Sequence, residues 1–406
     1  MHKIKLSNCV SHISYPRIST NELNSKTYIT TDNMLPNKAG IVESKNMPRN
    51  ISVIKFIKDD VLLSNIRPYF KKIWLAEFEG GCSTDVLIFR VNKNYNPKYI
   101  KYCLSQDSFF RYDMLGAKGS KMPRGDKNHI LNFEILDIDL KSQNSIAKTL
   151  SLLDDKIKLN NKTNCELEKM AKEIYDYWFV QFEFPDKNNG PYKTNKGKMI
   201  YSPILKKEIP IDWKVDKLKK ICDIKSGYPF SSDNYIAKGI YGIITIKNVQ
   251  NGYIDIYTDN YINSIPNDLP QYCILKKGDI LLSLTGNVGR TGLIYSDNLL
   301  LNQRVAKIIL KQESFYSYIY FLISNNYFRN ILEQKSTGTS QKNLSPIETE
   351  NINIIIPDKN TINIFNNIAQ SIIEKMVKNW IENKSLIELR DFLLPMLMNG
   401  QISIKD

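Results

Sequence analysis

Apolar residues recur at alternating intervals of four and three along two stretches of the chain, residues 146–178 and 365–397. In the first they are Ile146, Leu150, Leu153, Ile157, Leu167, Ala171, Ile174 and Trp178, with Asn160 and Asn164 falling in the same series. That alternation is a heptad seam, the mark of a long helix that lays one stripe against a partner helix. In the second stretch Phe365, Ala369, Ile372, Met376, Asn379, Asn383, Leu386, Arg390, Leu393 and Leu397 each stand 219 positions after their counterparts, and asparagine returns at the same two places. The chain is therefore predicted to hold one unit written twice.

Shorter patterns fill the rest. Strand-like runs lie at 61–66, 86–91 and 135–140, and helical patterns at 97–104 and 109–114, with Pro97 suited to a first turn. The segment 116–128 carries Gly116, Gly119, Gly125 and Pro123, which argues against long regular structure there. From 185 to 210 the chain turns polar and rich in Gly, Pro, Asn and Lys, as a connector would. The 219-residue offset reaches beyond the helices: Leu62-Leu63-Ser64 matches Leu281-Leu282-Ser283, Tyr99-Ile100 matches Tyr318-Ile319, Phe109 matches Phe328, and Gly119 matches Gly338. Framework agrees and loops diverge, since Asn65-Ile66-Arg67-Pro68-Tyr69-Phe70-Lys71-Lys72 stands against Leu284-Thr285-Gly286-Asn287-Val288-Gly289-Arg290-Thr291.

The predicted fold is mixed α/β (α+β), with two globular domains at 1–144 and 213–363. Helical spacers at 145–184 and 364–406 pair as an antiparallel coiled coil with a pseudo-two-fold, and a connector covers 185–212. With full antiparallel overlap, Asn160 would face Asn383 and Asn164 would face Asn379. Polar pairs inside an apolar seam specify register and orientation at some cost in stability.

At 406 residues the chain exceeds the size at which one core usually stops growing, which agrees with two domains. Lys and Arg number 56 against 42 Asp and Glu, a net charge of +14 and a pI near 9.2. That balance points to a polyanionic partner, most often nucleic acid. Cys9, Cys82, Cys103, Cys165, Cys222 and Cys273 form no clustered spacing, and with three histidines a zinc site is hard to assemble, so reduced thiols in a cytosol and no metal are expected. The start of the chain lacks the apolar core of a signal peptide, and no stretch approaches the roughly 20 apolar residues of a membrane span.

Catalytic constellations are weak. Asn96-Pro97-Lys98-Tyr99 loosely echoes the motif by which amino-methyltransferases hold a target amine, but no glycine-rich cofactor loop precedes it, and a helix start explains it better. Asp137, Asp139 and Lys141 suggest a nuclease cluster, yet the counterparts Ile356, Asp358 and Asn360 lose two of the three. No phosphate loop is present. Binding candidates are stronger. The basic loop carrying Lys118, Ser120, Lys121, Arg124 and Lys127 has an equivalent in Lys335, Thr339, Gln341, Lys342 and Asn343. Glycine lets backbone approach phosphate, and Lys, Arg, Gln and Asn supply donors for phosphates and base edges. Arg67, Tyr69, Lys71 and Lys72 form a second cluster after a strand, with Thr285, Arg290, Gln303 and Arg304 as looser equivalents.

The order of parts resembles the DNA-specificity subunit of type I restriction-modification enzymes, over essentially the whole chain. The residues that carry this are Trp178-Phe179 running into Phe184-Pro185, Gly190-Pro191-Tyr192, Ile209-Pro210-Ile211-Asp212-Trp213, Gly278-Asp279-Ile280-Leu281, the 338–344 loop, and Asn399-Gly400-Gln401-Ile402. The sequence departs at its start, where Lys3-Ile4-Lys5-Leu6 stands in place of a Pro-x-x-Trp opening. The resemblance implies two target-recognition domains, each reading one half of a split, asymmetric double-stranded DNA site, with the coil as a ruler between them. It implies two docked adenine methyltransferase subunits that carry S-adenosylmethionine, leaves room for two restriction/translocase subunits, and puts no catalytic residue, cofactor or membrane contact in this chain, which would sit in a prokaryotic cytoplasm. A coil about 50 Å long caps the separation of the halves near about 15 base pairs. The competing expectation is a standalone coiled-coil adaptor for RNA or DNA, because basic loops do not distinguish the two.

Overall fold

The computed structural model describes residues 2–338 and 342–404. They form two compact units, Met1–Ile157 with Ser385–Asp406, and Lys158–Lys384.

In the first unit a four-stranded antiparallel sheet runs in the order Val10–Ile13, Val86–Val91, Val61–Ser64, Ile73–Leu75. Its central strand is buried on both faces, so its alternation sorts side chains between two cores. Leu62 joins Phe56, Trp74 and Ile88 on one side. Val61 and Leu63 join Tyr99, Ile100, Phe109 and Leu150 on the other. The first side is covered by a second sheet, ordered Arg17–Ser19, Ser52–Phe56, Gly80–Cys82, Tyr28–Ile29. The second side is covered by helices Pro97–Cys103 and Asp107–Gly116.

The second unit has its own sheet in the order Cys222–Ser226, Val305–Leu310, Ile280–Ser283, Thr291–Leu293. Leu281 packs one way, and Ile280 and Leu282 the other, against helices Tyr316–Ser324 and Asn326–Lys335. Its second sheet is ordered Tyr261–Ile262, Tyr241–Ile244, Leu299–Leu301, Ile274–Leu275. Both second sheets share a three-strand arrangement, one central strand with a parallel neighbour and an antiparallel one. The fourth strand differs in place. Arg17–Ser19 extends the antiparallel neighbour in the first unit, and Tyr261–Ile262 extends the parallel neighbour in the second.

Two long helices, Leu140–Tyr175 with 36 residues and Lys359–Met398 with 40, carry the heptad series. Both start earlier than the apolar spacing indicates, because a carboxylate caps each first turn. Asp139 accepts from the Ser142 amide at 2.9 Å, and Asp358 from the amides of Asn360 at 2.9 Å and Thr361 at 3.1 Å. The expected strand at 135–140 is thereby cut to Glu134–Leu136, since Leu140 already belongs to the helix. Toward residue 178 the first helix widens into a π turn, Asp176–Val180. The connector holds a hairpin, Met199–Ser202 with Lys207–Pro210, and the 116–128 loop ends in a helix, Lys127–Leu131. Among the described residues no helix is long and apolar enough to cross a membrane.

Candidate nucleic-acid interface

In the first unit the chain leaves strand Val61–Ser64 at Asn65 and turns sharply at Arg67, whose φ of 50° is left-handed. A side chain in that conformation is uncommon and marks a backbone held by its surroundings. What holds it is the basic loop. The Arg67 amide donates to Pro123 O at 2.8 Å, and the Gly125 amide to Asn65 O at 3.0 Å. The loop closes on itself as a hairpin, with Lys118 and Arg124 exchanging both backbone bonds at 2.9 Å around Gly119 at φ 94°. The Asn65 amide, in turn, donates to Asp85 O at 2.8 Å. The two basic segments that look separate in sequence are thus one loop pair.

The second unit builds the same pair 219 positions later. Gly286 donates to Lys342 O at 2.9 Å, Leu344 to Leu284 O at 2.7 Å, and Leu284 to Arg304 O at 3.1 Å. Thr337 and Asn343 exchange bonds at 2.9 and 2.7 Å, with Gly338 at φ 101° and Gly286 at φ 70°. All five backbone bonds of the first pair have their equivalents here, while most of the side chains differ.

Side-chain placement divides the candidates. Ser120 and Lys121 are exposed at the hairpin tip, and Lys127 is exposed on the first turn of its helix. Lys118, with a side chain 84 % exposed, lies 3.2 Å from Asp126, and Arg124 lies 3.0 Å from Asp85. Tyr69 is exposed beside Phe70, ring centroids 4.7 Å apart. Lys71 is bonded to Asp107 at 2.9 Å and Lys72 to Thr31 O at 2.5 Å, so these two are engaged by their own unit. In the second unit Gln303, Arg304, Lys335, Lys342 and Asn343 are exposed and Thr285 is buried. Lys342 is 3.9 Å from Glu333. Arg290 donates to Gln250 Oε1 at 3.2 Å. Thr339 and Gln341 lie outside the described residues. Asp85 and the Asn65 backbone are site components that sequence reasoning missed. Their role comes from backbone pairing between distant segments, for which the sequence offers only the shared offset.

The four asparagines of the heptad series all belong to the second unit. Asn160 Nδ2 donates to Asn383 Oδ1 at 2.9 Å and to Glu382 at 2.7 Å. Asn379 Nδ2 donates to Asn164 Oδ1 at 2.7 Å. In the first unit the seam residue Arg390 donates to Asp154 at 2.9 Å, and Asp154 also accepts from Tyr102 at 2.7 Å and Lys101 at 3.1 Å. Burial works against its charge, but Lys101 and Arg390 hold its carboxyl below the usual carboxylate range.

The weak catalytic candidates take structural places. Asn96 caps helix Pro97–Cys103 by accepting from the Tyr99 amide at 3.1 Å, Asp139 caps a long helix, and Asp137 lies 3.3 Å from His2. Among the described residues no group of three or more His, Cys, Asp or Glu could hold a metal ion, and the six cysteines are unpaired, with Cys165 alone exposed.

Residues 210–390 match the family described as the type I restriction modification DNA specificity domain. The chain is 28% identical over 362 residues to the type I restriction enzyme MjaVIII specificity subunit of Methanocaldococcus jannaschii, a match that covers 86% of this chain and 80% of that protein. It is 25% identical over 447 residues to the HindI specificity subunit of Haemophilus influenzae, covering 95% and 96%. In fold it is similar to the type I restriction-modification S subunit of M. genitalium, with a TM-score of 0.60 at 14% identity over 98% of this chain and 96% of that one. Over most of its length the chain is thus similar to specificity subunits of type I restriction-modification systems, and its second half carries their DNA specificity domain.

Proposed function

We propose that each unit reads one half of a split, asymmetric double-stranded DNA sequence through its loop pair, while the paired long helices set the gap between the halves. The observation that carries this reading is the loop pair itself: five backbone hydrogen bonds recur at one offset, and the side chains they present diverge. Constant backbone with variable donors is what a scaffold needs to read two different sequences. The chain is, in this reading, an internal repeat whose framework is shared and whose loops differ.

The division of labour follows. Two modules on a stiff spacer gain affinity through effective concentration when the sites match the spacing, so the spacer length becomes part of the specificity. Chemistry belongs to partners: two DNA adenine methyltransferase subunits that bring S-adenosylmethionine dock on this chain, with room for two restriction/translocase subunits. Selection of binders from random duplexes by the full chain tests the reading. A two-part motif with a fixed gap is expected, and a single contiguous motif or a preference for single-stranded RNA overturns it.

A further inference from the structure

Beneath the first loop pair lies a polar pocket with no match beneath the second. Asp113 is fully buried on the inner face of helix Asp107–Gly116, one turn on from Phe109 and Phe110, and among the described residues neither of its carboxyl oxygens has a hydrogen-bond partner. Asn65 Oδ1 is likewise buried and, among the described residues, unpartnered. Gly125 closes the group from the loop side, since a Cβ there would lie 2.5 Å from Asp113 Oδ1 and 3.0 Å from Asn65 Oδ1. The same three positions 219 residues on are Leu332, Leu284 and Leu344, all buried in one apolar core. One loop pair rests on three leucines, the other on a carboxyl, a carboxamide and bare backbone.

The charges around Asp113 are accounted for. His129, from helix Lys127–Leu131, is the group that bears on it. Its ring is stacked on Tyr112 at 4.0 Å, with Nε2 2.9 Å from Tyr112 O. On the loops above, Lys118 is paired with Asp126 and Arg124 with Asp85, and Arg67 Nε is itself buried, without a partner among the described residues. Arg111, on Asp113's own helix, is exposed. Among the described residues nothing donates to the Asp113 carboxyl, and burial pushes it up to about 7, against the opposite pull of His129.

We propose that Asp113 is a positioning residue of the first loop pair: as a neutral acid it donates to Asn65 Oδ1 and keeps the loops closed, and on ionising it loosens them. Order in the first loop pair then depends on pH and order in the second does not. The consequence for DNA, a pH-dependent grip on one half of the site, rests on the reading of these loops as DNA contacts. Closed loops hold the proton up to about 7, whereas opened, hydrated loops release it at the ordinary 3.8. The closed state is therefore favoured fully below that lower value, loses about tenfold per pH unit up to the higher one, and changes little above it.

Hydrogen exchange on the full chain between about pH 5 and about pH 8, corrected for intrinsic rates, tests this without any DNA. The readout is the protection of the Arg67 and Gly125 amides relative to their equivalents Gly286 and Leu344. In the wild type that ratio should fall about 50-fold from about pH 5 to about pH 7 and level off within about a further factor of two. In Asp113→Asn, which keeps the shape and cannot ionise, it should stay nearly flat. The pair Asn65→Leu and Asp113→Leu, the second unit's solution, should be flat as well. An unchanged slope in Asp113→Asn, or equal slopes at both loop pairs in the wild type, overturns the proposal. Neither result touches the reading of the loops as DNA contacts, which stands or falls on the duplex selection.

Discussion

Asn379 donates its side-chain amide to the carboxamide oxygen of Asn164 at 2.7 Å within the buried seam of the second unit, and Asn164 donates onward to Met376 O at 3.0 Å. Replacing one member, Asn379→Leu, leaves the Asn164 oxygen buried without its donor, which costs about 1–3 kcal/mol. Replacing both with leucine removes the stranded group, so the double variant should be at least as stable as the single one. Urea midpoints of the two variants check this, and a double variant markedly weaker than Asn379→Leu contradicts it.

Asp154 predicts a different cost, because three donors converge on it. Asp154→Ala strands Lys101, whose side chain is 17 % exposed, and leaves Arg390, 18 % exposed, with Asp391 as its remaining partner, and loss of one partner from such a network costs about 3–5 kcal/mol. The equivalent positions in the second unit are Tyr320, Phe321, Ile373 and Ala171, an apolar answer to the same packing problem. Transplanting it as Lys101→Tyr, Tyr102→Phe, Asp154→Ile and Arg390→Ala should recover most of the loss. The depressed carboxyl also sets a sign. Its contribution is present above the ordinary carboxylate value and fades as pH falls through the lower folded value, so the difference between Asp154→Ala and wild type should narrow on acidification. Denaturation midpoints across the acid range measure it.

What the sequence made legible was whatever repeats at a fixed period. The heptad series places Asn160 opposite Asn383 because a period of 3.5 leaves one face to bury, and the side chains of that face hydrogen-bond across the seam. The loop pair was hidden because its bonds join Asn65 and Arg67 to Gly125 and Pro123, far along the chain, and no local pattern encodes such pairing. Lys71 and Lys72 read as a basic patch, yet Asp107 and Thr31 O reach them from other elements. Asp139 read as a carboxylate near other carboxylates, and the Ser142 amide, three residues on, turns it into a cap. Asp113 sits on the apolar face of its helix, and that misplacement was the one local signal pointing to the pocket.

The division between free and engaged cations predicts which lysines bind DNA. Lys121 is exposed at the hairpin tip, whereas Lys71 is spent on Asp107. Lys121→Ala should weaken binding to the selected duplex and lower the slope of log affinity against log salt by about 1. Lys71→Ala should leave that slope unchanged. Salt titrations of the two variants decide, and a larger slope change for Lys71→Ala would show that the lysine leaves Asp107 when DNA arrives.

Spacer length yields the sharpest prediction. Seven residues inserted between Ile157 and Asn160, together with seven between Asn383 and Leu386, preserve the heptad phase of both helices. The insertion points are where each helix passes, in sequence, from one unit to the other. A heptad adds about 10.5 Å of helix, or about three base pairs of duplex. The double insertion should therefore lengthen the selected gap by about three base pairs and leave both half-motifs unchanged. A heptad placed in one helix alone cannot keep both Asn160 with Asn383 and Asp154 with Arg390 in register, and should abolish two-part binding, because one buried polar set loses its partners. If the gap stays fixed while the doubly lengthened protein still binds, the helices are not what measures the distance.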